Sequence, residues 1–130
     1  MAEKMAVHCV EIDDKAGSLQ GLLEKIASAG VDLHCFMAFS TGGGHGHVCL
    51  GAKDPAALAS CLAQEGIAAT EMAGFVIDGD DKVGAAANAL KGLADAGISG
   101  VAGAAVACDS KYRMGIVVNA SDGDSAAEVL

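Results

Sequence analysis

A chain of 130 residues with 17 acids against 8 bases carries a net charge of −9. Its lysines are not clustered and Arg113 is its single arginine, which excludes a phosphate backbone as a direct partner: no nucleic acid is expected. Apolar residues make up 52% but aromatics only 3%, with no tryptophan, so the core must be aliphatic and rich in small side chains.

Val7 to Ile12 reads as a first strand, short and β-branched. Asp13 to Gly17 is a turn that opens a helix, with Ser18 or Asp14 expected to cap it. Leu19, Leu22, Leu23, Ile26 and Ala29 then form one apolar stripe, and Gly30 stops the helix. Val31 to Ser40 is the second strand. Thr41 to Gly46 is a glycine-rich hairpin, expected to be mobile and to close over a ligand or touch a partner. His47 to Ala52 is the third strand. Asp54-Pro55 starts a helix carrying Leu58, Cys61 and Leu62 that ends at Gly66. Ile67 to Met72 supplies a fourth strand, which completes the order βαββαβ, a ferredoxin-like split βαβ.

The pattern then starts again. Asp80-Asp81-Lys82-Val83-Gly84 stands 67 positions after Asp13-Asp14-Lys15-Ala16-Gly17. Phe75 to Asp78 is the new first strand, and a helix follows with Ala86, Ala89, Leu90, Leu93 and Ala94. Val101–Cys108 and Tyr112–Asn119 form a hairpin, and Asp122 to Leu130 a last helix. The second copy has no counterpart of the Ile67–Met72 strand, so one sheet edge needs cover from within the molecule or from a neighbour. Two subdomains are expected, residues 1–73 and 74–130. Units this small bury a limited share of their surface, so a homodimer is expected.

The spacing Asp14-Lys15-Ala16-Gly17-Ser18-Leu19, a helix, then Ala29-Gly30-Val31-Asp32-Leu33 resembles the ACT domain, an amino-acid-binding regulatory module. The family pattern is roughly D-x-P-G-x-L, a helix, and G-[IV]-N-[IL]; here Ala16 replaces the proline and Asp32 the asparagine. The likeness covers nearly the whole chain as a tandem. It implies an α+β fold of two βαββαβ subdomains with antiparallel sheets, the second lacking its last strand. It also implies a regulatory protein that binds a small amino acid within a subdomain or at a dimer interface, acts on a partner enzyme, and has no catalysis or cofactor of its own.

The ligand residues implied are Asp14, Gly17, Ser18, Leu19, Asp32 and Leu33. The opening of a helix leaves the N–H groups of Gly17, Ser18 and Leu19 to receive a carboxylate. The resemblance places Asp32 near the same end, where it holds the ammonium. Ser99-Gly100 stands where copy one has Asp32-Leu33, so copy one is expected to bind and copy two to support.

Other chemistry finds less footing. Gly42 to His47 is no phosphate loop, since no Gly-Lys-Ser/Thr follows and it lies between strands. His45 and His47, with His8 or His34, offer metal ligands on poor glycine support, and no metal is expected. No cysteine or serine has an activating context. Arg113 is remote from the first turn, against an acylphosphatase-like reading. The five cysteines, odd in number and without C-x-x-C, are expected to be reduced and mostly buried. The rival readings are a ligand-independent interaction module and a small ferredoxin-like metal-binding protein. No stretch approaches the roughly 18 apolar residues of a membrane span. Met1 to Met5 lacks the apolar region of a secretory signal, and a cytoplasmic location is the default expectation.

Overall fold

The structure, a computed structural model, describes residues 2–130. Its elements run β1 (Ala2–Asp13), α1 (Ser18–Ser28), β2 (Leu33–Ser40), β3 (His45–Ala52), α2 (Pro55–Gln64), β4 (Ala69–Asp80), α3 (Ala85–Asp95), β5 (Ala102–Cys108), β6 (Lys111–Asn119), a 3-10 turn (Ala120–Asp122) and α4 (Gly123–Val129). The α+β class and the repeated βαββαβ pattern are as the sequence predicts, and among the described residues no strand follows α4. The chain forms two compact units. One is Ala6–Glu71; the other joins residues 2–5 to Met72–Leu130.

In the Ala6–Glu71 unit the strands lie in the order β2-β3-β1, each pair antiparallel. The helices supply the stripes that cover this sheet. Leu22 and Ile26 of α1 and Leu58, Cys61 and Leu62 of α2 pack with Val10, Val48, Leu50 and Ala52. Leu58, Val48 and Leu50 are fully buried. The helix α2 is capped as expected, its Ala57 N–H donating to Asp54 Oδ1 at 3.1 Å. The cap of α1 differs from expectation: neither Ser18 nor Asp14 provides it. Gly17 occupies the N-cap position with φ of 89°, and no side chain bonds there. Gly84 repeats this at α3 with φ of 86°. A left-handed residue at this point costs glycine least, which explains why both copies keep it.

In the other unit the order is β4-β6-β5, again antiparallel. Phe75, Ile77, Met114, Ile116 and Val118 pack under Leu93 of α3 and Ala126 of α4. The sequence suggests a break between Met72 and Phe75, but β4 is one continuous strand. Gly74 pairs with Val117 without a shift in register. The boundary also differs from a simple division in mid-chain. Ala2 packs against the second core, and Lys4 Nζ reaches Asp124 Oδ1 at 3.0 Å. The second neighbour of β4 in hydrogen-bonding order is β1, whose residues 2–5 belong to this unit. The strand that copy two lacks in its own sequence is thus supplied by the first residues of the chain.

Candidate functional site

The turn between β1 and α1 is tied to the β2–β3 hairpin by two bonds. The Asp14 N–H donates to the Gly44 carbonyl at 2.9 Å, and the Ser40 hydroxyl donates to Asp14 Oδ2 at 2.5 Å. The Ser40 oxygen in turn accepts the Gly42 N–H at 3.2 Å. A hydroxyl has one proton to give, and a carboxylate is the stronger taker. The glycine hairpin is therefore held at its base by the same acid that the sequence singles out.

Beneath this lattice lies a cavity of about 190 Å³, lined among others by Ile12, Asp14, Lys15, Leu19, Phe39 and Ser40. Its floor is shallow in side chain because Ala38 and Gly46 sit there on adjacent strands. A Cβ on Gly46 would stand 3.4 Å from Ile12 Cγ1, in van der Waals contact, so the glycine leaves that part of the floor open. The charged groups around the hollow are Asp13, Asp14 and Lys15, the last pairing with Asp13 at 3.9 Å.

The structure brings Asp14 and Leu19 together in this cavity. Gly17 and Ser18 line a second hollow of about 500 Å³ with Glu11, Lys25 and His45. The Ser18 N–H is already given to the Lys15 carbonyl at 3.2 Å. Asp32 and Leu33 are elsewhere. They line a third hollow of about 510 Å³ with Cys35 and Phe36. The 11 residues of α1 separate them from the Asp14 turn, a length of about 16 Å. Asp32 is also engaged, since Lys53 Nζ lies 2.6 Å from its Oδ2 and the Lys53 N–H bonds its carbonyl. The hydrogen bond from Lys53 and its charge hold the Asp32 carboxyl below its ordinary range.

Copy two builds the same frame with different contents. Asp81 N–H donates to the Ser110 carbonyl at 2.9 Å, the counterpart of the Asp14–Gly44 bond. Its cavity, about 280 Å³, is lined by Asp81, Lys82, Gly84, Ala105, Ala107 and Tyr112, among others. Ala107 stands where copy one has Ser40, so the hydroxyl is missing. The large and small residues also trade strands. In copy one, Ile12 of β1 lies over Gly46 of β3; in copy two, Tyr112 of β6 lies over Gly79 of β4. A Cβ on Gly79 would come within 2.6 Å of the tyrosine ring.

Ser40, Phe39 and Gly46 were not among the residues expected at the site. The signal for Ser40 was its exchange for Ala107 at the repeat offset. His45 Nδ1 lies 2.9 Å from Glu11 Oε1, whereas His47 stacks against Phe39 with ring centroids 5.6 Å apart. Among the described residues no group of three or more His, Cys, Asp or Glu is arranged to hold a metal ion. Cys49 and Cys61 are buried, Cys9 and Cys35 are half-buried and Cys108 is exposed at the end of β5, against the expectation that most are buried. Cys9 donates to Cys49 across 2.8 Å; that bond holds the Cys49 thiol below its usual range and raises Cys9.

The sequence matches no protein-family model and no curated protein. Its fold does match solved structures. A protein of Bacteroides thetaiotaomicron aligns over 99% of this chain and 88% of its own, at 20% identity and a TM-score of 0.78. The regulatory subunit of aspartate kinase from Thermus thermophilus, in ligand-free form, aligns over 99% and 92%, at 15% identity and a TM-score of 0.66. Aspartate kinase of Clostridium acetobutylicum aligns over 98% of this chain and 32% of its own, at 12% identity and a TM-score of 0.63. Among the described residues no helix is long and apolar enough to cross a membrane. At these identities the likeness is one of fold: the chain has the ACT-like fold of aspartate kinase regulatory domains.

Proposed function

We propose that this protein is a regulatory module that binds a small amino acid at the Asp14 end of α1 and transmits its occupancy to a partner enzyme. The observation that carries the reading is the cavity where Asp14, Ser40 and Lys15 meet an apolar wall. A zwitterion needs one negative and one positive group a few ångströms apart. Asp14 suits the ammonium, Lys15 the carboxylate, and Ile12, Leu19 and Phe39 a short apolar side chain. At about 190 Å³ the hollow is below the roughly 300–1,000 Å³ typical of drug-sized ligands. That size favours a small metabolite. The likeness to regulatory subunits of aspartate kinase supports a regulatory role without catalysis. We further propose that copy one is the binding copy. The asymmetry rests on Ser40 against Ala107, since Asp32 is committed to Lys53.

A thermal-shift screen of the twenty amino acids tests the reading. A ligand at a hundredfold excess over its dissociation constant stabilises by about 2.7 kcal/mol, which raises the melting temperature by at least about 5 °C. Asp14→Asn and Ser40→Ala should remove the response, and Asp81→Asn should leave it. A flat response to all twenty would refute amino-acid binding. One specific observation favours the second reading, a ligand-independent interaction module: β2, the outer strand in the order β2-β3-β1, carries Phe36 and Phe39 about half exposed. Light scattering of the purified protein tests the homodimer, and a monomer at working concentration refutes it.

A further inference from the structure

Cys9 and Cys49 face each other directly across β1 and β3, 40 residues apart in the chain. In an antiparallel pair, directly opposed Cα atoms lie about 4.5–5.5 Å apart, inside the roughly 4.4–6.8 Å that a disulfide spans. The two sulfurs already stand 2.8 Å apart with a thiol proton between them. The backbone therefore has no distance to travel for a covalent bond. The flanking pairs on the same face are Val7 with Gly51 and Glu11 with His47. Gly51 sets no side chain beside Cys49. Cys9 is half-buried and Cys49 buried, so Cys9 is the more open of the two to an external disulfide.

We propose that Cys9 and Cys49 are a reversible redox pair that closes to a cross-strand disulfide with a small-molecule disulfide as oxidant. Loss of the first proton leaves the thiolate on Cys49 with the Cys9 thiol donating to it, and passage of that proton from Cys9 to Cys49 along the 2.8 Å contact puts the charge on the more open cysteine. Cys9, as thiolate, attacks one sulfur of the external disulfide. A Cys9–S–S–R bond forms, the external S–S bond breaks, and one thiolate leaves. Cys49 then loses its proton and attacks Cys9 Sγ. The Cys9–Cys49 bond forms, the mixed disulfide breaks, and the second thiolate leaves. Both released thiolates take up protons. Two cysteines are oxidised by two electrons and one external disulfide is reduced to two thiols. The bond staples β3 to β1 two residues from the Glu11–His47 pair, towards the hairpin that holds Ser40 near Asp14. The inference does not depend on what the cavity binds.

The test uses the full chain, reduced with dithiothreitol and then equilibrated with oxidised glutathione, followed by alkylation and non-reducing peptide mapping. The expected result is an intact mass lower by two hydrogens, with a linked peptide pair containing Cys9 and Cys49. Dithiothreitol should restore the mass. Cys49→Ser should instead trap glutathione on Cys9, because the resolving thiol is gone. Should that variant fail to fold, the mapping of the natural chain still decides. Alkylation of both Cys9 and Cys49 after oxidation overturns the proposal, as does a link from Cys49 to Cys35 or a persistent glutathione adduct on Cys9 in the natural chain.

Discussion

Two helix glycines separate the intrinsic cost of glycine from the cost of crowding. Gly21 lies in α1 and Gly92 in α3, helices of 11 residues each. Replacing a helical glycine by alanine gains about 0.5–1 kcal/mol from backbone entropy and propensity. A Cβ on Gly21 meets nothing within 4 Å, so Gly21→Ala should show that gain undiminished. A Cβ on Gly92 would overlap the Val129 carbonyl oxygen and stand 3.2 Å from the Val129 Cβ. A backbone atom cannot swing aside as a side chain does, so the last turn of α4 must shift. Overpacking of this kind costs about 1–3 kcal/mol. Because the propensity gain is common to both, the difference between the variants isolates the crowding. Urea unfolding followed by far-ultraviolet circular dichroism measures it. With a slope of about 1–3 kcal/mol per molar, Gly21→Ala should raise the midpoint by about 0.2–1 M. Gly92→Ala should fall below the natural chain or at best match it. If Gly92→Ala is stabilised as much as Gly21→Ala, then α4 does not pack over α3 as described and the reasoning fails.

Leu58 is fully buried between α2 and the sheet, and Leu58→Ala should cost about 2–5 kcal/mol, seen as a melting temperature lower by about 4 °C or more. Asp54→Ala removes the side-chain cap at the start of α2 and should cost about 1 kcal/mol in the same denaturation assay; no change would show that Pro55 alone starts the helix. Asp32 and Asp80 are both held below the ordinary value of 3.8 by Lys53 and Lys111, their hydrogen bonds acting first and their charges second. Their folded forms therefore favour the ionised state. The stability they contribute is complete above pH 3.8 and is lost as pH falls through the folded values. Lys53→Met should move the Asp32 carboxyl titration upward in a nuclear magnetic resonance pH series and leave that of Asp80 in place.

Much of the fold was legible because its causes are local. Asp54-Pro55 caps a helix through a bond to a residue three positions on, and the glycines at 17 and 84 answer to their own φ. The stripes Leu22–Ile26 and Leu58–Cys61–Leu62 follow from helical spacing alone. The reading of β4 as two strands failed at Gly74, since a glycine in a paired strand looks the same in sequence as one in a turn. The start of β1 was missed for a related reason. Ala2 to Met5 has little strand character, and its place is set by residues far along the chain, through Ala2 and Lys4.

The site divides along the same line. The Asp14 turn and the end of α1 were visible as a repeated motif, and the duplication itself needed nothing but the sequence. What the fold added depends on strand register between segments that are far apart in the chain. Register set Ser40 within reach of Asp14, gave Asp32 to Lys53 instead of the helix start, and put Cys9 against Cys49. A slip of one residue in any of these pairs would turn each side chain to the other face of its sheet. Local propensities cannot distinguish those registers; only the packing of the two aliphatic cores, where Val48, Leu50, Val118 and Phe75 have one face to bury, selects among them.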